Sequence, residues 1–186
     1  MKLKTLFSRN RITAPERTVY DLIVAQARQP FLYADLLVPD TLDGRYDMII
    51  IHADAVMCHM QQGNLADKEF AQALIDEVFR DMDRSLREMG VGDMGVGKRI
   101  KKMATVYYGR ASAYATARGQ DESAMVASLA RNVYAGDSKL EPQAMRLSAY
   151  VAMLHNAIKA QERATIRNGG LDFPVCMTDA ARKNPP

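Results

Sequence analysis

Residues 46–62, YDMIIIHADAVMCHMQQ, and residues 66–89, ADKEFAQALIDEVFRDMDRSLREM, decide the fold class. In the first run Met48, Ile49, Ile50, Ile51, Val56, Met57 and Met60 leave little polar face, the pattern of a helix buried on most sides. In the second, Ala71, Leu74, Ile75, Val78, Met82, Leu86 and Met89 recur at helical spacing, with Asp76, Glu77, Arg80, Asp83, Arg84 and Arg87 opposite. Asp76 with Arg80, and Asp83 with Arg87, stand four residues apart, where opposite charges support a helix. A buried helix beside an amphipathic one predicts helix-on-helix packing.

Working outward, the same period continues and no segment shows the alternation of a half-buried strand. About seven helices are expected, as an all-α, compact single-domain bundle. The first opens at Thr13, Pro15 and Glu16, with Thr13 as cap, Glu16 at the capping-box position and Pro15 in the first turn. Its stripe is Val19, Leu22, Ile23 and Ala27. A short helix follows from Pro30 through Leu37, and Pro39 with Gly44 marks a loop before the buried helix. Gly63 ends that helix. A glycine-rich elbow, Gly90 to Gly97, leads to a helix over 98–117 with the stripe Ile100, Met103, Ala104, Tyr107, Ala111 and Tyr114. Asp121 caps the next, to about Tyr134. The last runs from Glu141, with Pro142 in its first turn, to Ile166, burying Leu147, Val151, Leu154 and Ile158. Residues 1–12 form a leading segment, 13–168 the domain, and 169–186 an aperiodic tail expected to be mobile.

With 186 residues, 48% of them hydrophobic, the chain can bury one core without disulfides or metal. A net charge of +3 offers no broad basic surface, so nucleic-acid binding is not expected. Cys58 and Cys176 have no partner at metal or redox spacing, which suits a reducing compartment. The basic start, MKLKTLFSRNR, loses its apolar stretch after Leu6 and Phe7, short of a signal-peptide core. The aliphatic run from Met48 to Ile51 is too short to span a bilayer. Any membrane contact is therefore expected from the water side.

Four constellations could carry chemistry. Gly92 to Lys98, GDMGVGK, has the spacing of a phosphate-binding loop, but a helix precedes it and Arg99 stands where a magnesium-holding Ser or Thr belongs. A helical elbow is the simpler reading. His52 and His59 share a helix face, yet the third histidine, His155, is far along the chain, so core histidines are expected and no metal or cofactor. An axial haem ligand from that central helix is the alternative from another class. No Ser, His and acid cluster suggests an enzyme. Twelve methionines, among them Met82, Met89, Met94 and Met103 around the elbow, suit either core filling or a groove for variable apolar helices. Lys98, Arg99, Lys101 and Lys102 place positive charge at a helix start, against the dipole, which suggests a use in meeting acidic protein, phosphate or anionic lipid.

Residues 86–103, LREMGVGDMGVGKRIKKM, with residues 107–114, YYGRASAY, resemble the signature block of the ubiquinol-cytochrome c chaperone family. Weaker resemblance extends over about Val19 to Gln161. The resemblance implies an all-helical assembly factor for respiratory complex III that binds newly synthesised cytochrome b, or another subunit, and catalyses nothing. It puts forward Arg87, Glu88, Asp93, Lys98, Arg99, Tyr108, Gly109, Arg110 and Tyr114 for the client surface or its support, and Met94 and Lys102, from the methionine and lysine groups above, join them as client-binding candidates. Gly109 would let two helices approach closely, and Asp93 would cap the fifth helix. Arg110, between Tyr107 and Tyr114 at helical spacing, either heads an aromatic and cationic client patch or closes an internal salt bridge.

Mitochondrial relatives carry a long targeting extension that is not seen here, and they work with a small partner protein near the ribosome. The resemblance implies a bacterial member that acts in the cytoplasm, at the inner face of the plasma membrane.

Overall fold

Asn64, Thr41 and Asp121 each start a helix for one reason: a side-chain oxygen accepts a free amide of the first turn. Asn64 takes the Asp67 N–H at 3.1 Å and Asp67 returns the bond at 2.9 Å, a capping box. Thr41 accepts from Gly44 N at 3.1 Å and Asp121 from Ala124 N at 2.8 Å. The computed structural model describes residues 14–174. Its helices are α1 (Ala14–Ala27), α2 (Pro30–Ala34), α3 (Leu42–Gln61), α4 (Leu65–Glu88), α5 (Asp93–Arg118), α6 (Glu122–Val133), α7 (Glu141–Lys159) and α8 (Arg163–Arg167), with a 3-10 turn at Ser138–Leu140. No strand occurs among the described residues, so the chain is all-α.

The centre is α3, with fourteen of its twenty residues buried, which matches its apolar run. It packs against α1, α4, α5 and α7, while α6 lies across α5 and α7, and α8 closes one end against α1 and α4. Met48, Ile50 and Met60 of α3, Leu74 and Val78 of α4, and Leu147, Leu154 and Ile158 of α7 are fully buried. Each such side chain contributes about 1.5–3 kcal/mol. No helix among the described residues is long and apolar enough to cross a membrane.

Four boundaries differ from the sequence reading. First, α2 stops at Ala34, short of Leu37, which takes a positive φ of 53° as the chain turns back through the Val38 N–H bond to Leu32 O at 3.0 Å. Second, α3 begins at Leu42 because Thr41 caps it, and Gly44 fits there because a Cβ would collide with the Pro39 carbonyl. Third, α5 begins at Asp93, so the elbow shrinks to Gly90–Gly92; glycine tolerates a helix when nothing else stops it. Fourth, α7 ends at Lys159 rather than Ile166. There the Gln161 side chain donates to Ala157 O at 3.1 Å and Asp172 O at 2.7 Å and accepts from Asp172 N at 2.9 Å, folding the chain back. The Thr13 cap and residues 175–186 lie outside the described residues. What is described of the expected mobile tail is packed: Leu171 is buried, and Phe173 meets the His52 ring edge-on with centroids 5.8 Å apart.

Candidate functional site

The elbow is closed by backbone chemistry before any side chain contributes. Gly90, at φ 80°, adopts the left-handed conformation that ends helices, with Gly90 N bonded to Arg87 O at 2.9 Å and Val91 N to Leu86 O at 3.1 Å. The Arg87 guanidinium then ties the two helices together by reaching Asp83 of α4 at 2.7 Å and the Asp93 carboxylate of α5. Asp93 therefore does not cap α5. Gly92 holds the cap position, and Asp93 sits one residue inside, where its charge complements the dipole. Glu88 reaches Arg84 at 3.9 Å. Because Asp93 to Lys98 is helical and α4 precedes it, the GDMGVGK string makes no phosphate cradle.

The structure divides the candidate residues. Arg87, Glu88, Asp93, Met94, Lys98, Arg99, Lys102 and Tyr108 are exposed, Met94 almost completely at 95%. Met94, Lys98, Lys101, Thr105, Tyr108 and Ser112 follow one ridge along α5. Arg110 and Tyr114 face inward. Arg110 forms an ion pair with Asp47 of α3, a residue only 3% exposed, and donates to Asn132 O of α6 at 3.2 Å. Tyr114 is buried, and burial pushes its hydroxyl up to about 12. Tyr107 is buried too, its hydroxyl on the Met57 sulfur at 3.3 Å. The arrangement at Arg110 is thus the internal ion pair, not an exposed aromatic patch.

A second ion pair runs parallel. Arg118 donates to Asp54 at 2.6 Å and approaches His155 Nε2 at 3.3 Å. Burial raises the Asp54 carboxyl pKa, with the Arg118 charge opposing, and burial beside Arg118 lowers His155 to about 4. Asp47 and Asp54 are seven apart on α3, and Arg110 and Arg118 eight apart on α5, so two turns of each helix are cross-linked. Sequence reasoning missed both acids, although lone carboxylates on an otherwise apolar helix were the available signal.

The central histidine is committed to the core. His52 Nδ1 lies 2.7 Å from Met48 O and Nε2 2.7 Å from the Tyr150 hydroxyl, so each nitrogen that could serve as an axial ligand is already engaged. His59 Nε2 donates to Gln161 O at 2.9 Å. Among the described residues no group of three His, Cys, Asp or Glu is placed to hold a metal ion. Gly109 also departs from expectation: among the described residues nothing lies within 4 Å of where its Cβ would stand, so no described helix approaches it there.

The family model described as ubiquinol-cytochrome C chaperone matches residues 34–173, from the end of α2 to the packed segment after α8. The chain belongs to the ubiquinol-cytochrome c chaperone family. A solved structure of the Cbp3 homologue from Brucella abortus is similar over 87% of this chain and 90% of that one, at 39% identity and a TM-score of 0.77. No curated protein sequence matches the chain. In this ubiquinol-cytochrome c chaperone, α1 lies ahead of the matched region yet packs on α3 and α4, so it is part of the same core.

Proposed function

We propose that this chain binds newly synthesised cytochrome b during assembly of respiratory complex III, through the exposed part of the α4–elbow–α5 block. What carries the reading is the family match together with a long helix that keeps one ridge in water: of the 26 residues of α5, only Val96, Tyr107, Tyr114 and Ala117 are fully inside. An ordinary surface helix of that length shows a wider apolar stripe. Met94, Lys98, Arg99, Lys102 and Tyr108 form the contact surface, with Arg87, Glu88 and Asp93 fixing the elbow and Arg110 and Tyr114 supporting the helix behind it. The action is binding without a catalytic step, at the inner face of the plasma membrane, where a nascent membrane protein emerges.

Two measurements test this. Deleting the gene should deplete assembled ubiquinol-cytochrome c reductase and leave the other respiratory complexes near normal; unchanged complex III would refute the reading. Gly109→Ala gives a finer test. A mid-helix glycine with open space around it costs about 1 kcal/mol relative to alanine, so the variant should melt higher. If a client helix packs closely on that spot, pull-down of cytochrome b should nevertheless fall. A more stable variant that captures the client unchanged would remove Gly109 from the surface.

A further inference from the structure

We infer that the tip formed by the elbow and the first three turns of α5 docks on an anionic lipid bilayer, with Met94 entering the acyl boundary and Lys98, Lys101 and Lys102 lying on the headgroups. Such docking builds on the membrane-side placement above and supplies the surface that would produce it.

The acids near the tip are already engaged by two arginines of α4. Arg87 engages Asp83 and Asp93, and Arg84 engages Asp81 and Glu88. Lys98, Arg99, Lys101 and Lys102, by contrast, are exposed, and none has an ion pair among the described residues. Together with Arg84 and Arg87 these four cations outnumber the four acids of the tip by two, on a chain whose whole net charge is +3. Because α5 begins at Asp93 they stand in its second and third turns, beyond the first turn where the dipole would oppose them, and they face water there.

The second feature is apolar. Met94 is 95% exposed and Met89, at the other side of the elbow, is 54% exposed. At helical spacing Met94, Lys98 and Lys101 share one ridge, with Lys102 beside it, so apolar tip and cations face the same way. An apolar tip ringed by lysines is what an interfacial element presents: the methyl end enters the acyl boundary while the ammonium groups meet lipid phosphates. Nucleic acid would pair with the same cations but leave Met94 in water.

Flotation of the full chain with vesicles tests the assignment without any client, so its outcome is independent of cytochrome b binding. The chain should float with phosphatidylcholine vesicles containing phosphatidylglycerol and not with phosphatidylcholine alone, and sodium chloride should release it. The triple variant Lys98→Gln, Lys101→Gln and Lys102→Gln should lower partitioning at least about tenfold, since each cation near such a surface contributes about fivefold. Met94→Ser should lower it severalfold with all charges intact, and thermal melts of both variants should match the parent because the altered residues are exposed.

Three results would overturn the proposal. One is no binding to the anionic vesicles. Another is loss of binding in Lys2→Gln, Lys4→Gln, Arg9→Gln, Arg11→Gln with retention in the elbow variant, which would assign the contact to the leading segment. The third is release by inorganic phosphate, or by an acidic polypeptide, at constant ionic strength, which would make the cations a phosphate or protein site. Lys101→Gln alone, at an exposed residue outside the proposed client surface, should lower flotation about fivefold while cytochrome b capture is unchanged, which would separate lipid docking from client binding and support the lipid assignment.

Discussion

Arg110→Ala should cost about 3 to 5 kcal/mol of folding stability, because it strands the Asp47 carboxylate inside the bundle. Asp47 is 3% exposed on the central helix, and the Arg110 guanidinium supplies its ion pair from α5 while bonding to Asn132 O of α6. One side chain thus joins three helices. A domain of this size has about 5–15 kcal/mol to lose, so the variant should melt far below the parent and be partly unfolded in mild urea. The complementary double variant, Asp47→Leu with Arg110→Leu, should recover most of the loss, since removing both charges leaves none uncompensated. Client capture by Arg110→Ala should fail only in step with the fold. A near-normal cooperative melt combined with lost capture would instead make Arg110 a contact residue and sink the structural account.

Acid should weaken the fold through His52. The ring is fully buried and desolvation pulls its pKa from 6.5 to about 4. A depressed folded value means the unfolded chain takes up the proton first as pH falls. The stability tied to neutral His52 is therefore complete above about pH 6.5 and drains away towards pH 4. At 1.36 kcal/mol per pH unit the loss over that window is about 3 kcal/mol. Asp54 works in the opposite sense: its raised pKa makes the folded state accept a proton more readily in acid, which offsets part of the loss. His52→Gln can still bond to Tyr150 but cannot titrate. Urea unfolding at pH 7 and pH 4.5 should show a smaller difference for the variant than for the parent, and equal differences would clear His52 of the role.

The all-α fold was legible because its signals are local. The buried run of α3, the stripe of α4 and the cap at Asp121 depend on neighbours within a few residues, and local patterns report those. The misplaced boundaries at α5 and α7 have long-range or permissive causes. Gly95 and Gly97 read as breakers, yet glycine accepts a helical conformation when the flanking sequence wants one. Gln161 ends α7 by bonding to Asp172, eleven residues on, which no window of helical period contains. The same limit governs the site. The block between Leu86 and Tyr114 was readable as a resemblance, but whether Arg110 faced client or core depended on Asp47, 63 positions earlier in the chain. Exposure of Met94 and the lysines followed from the elbow being shorter than its glycines suggested.

The segment that follows α7 has one more effect, on the order in which this chain can acquire its shape as it is made. Gly169 lies against Pro15 and Thr18, Phe173 covers His52, and Gln161 and Arg163 bond to the His59 ring and carbonyl, so the last described residues seal the first and central helices. Those contacts span a hundred residues or more and cannot form until almost everything before them has left the ribosome. Helices α1, α3 and α4 can associate early, but one flank of the hydrophobic interior stays wet until residue 173 emerges. An assembly factor built this way is itself vulnerable during its own synthesis, and a translational stall or truncation just short of that point should yield a sticky, protease-sensitive product rather than a slightly shorter working protein.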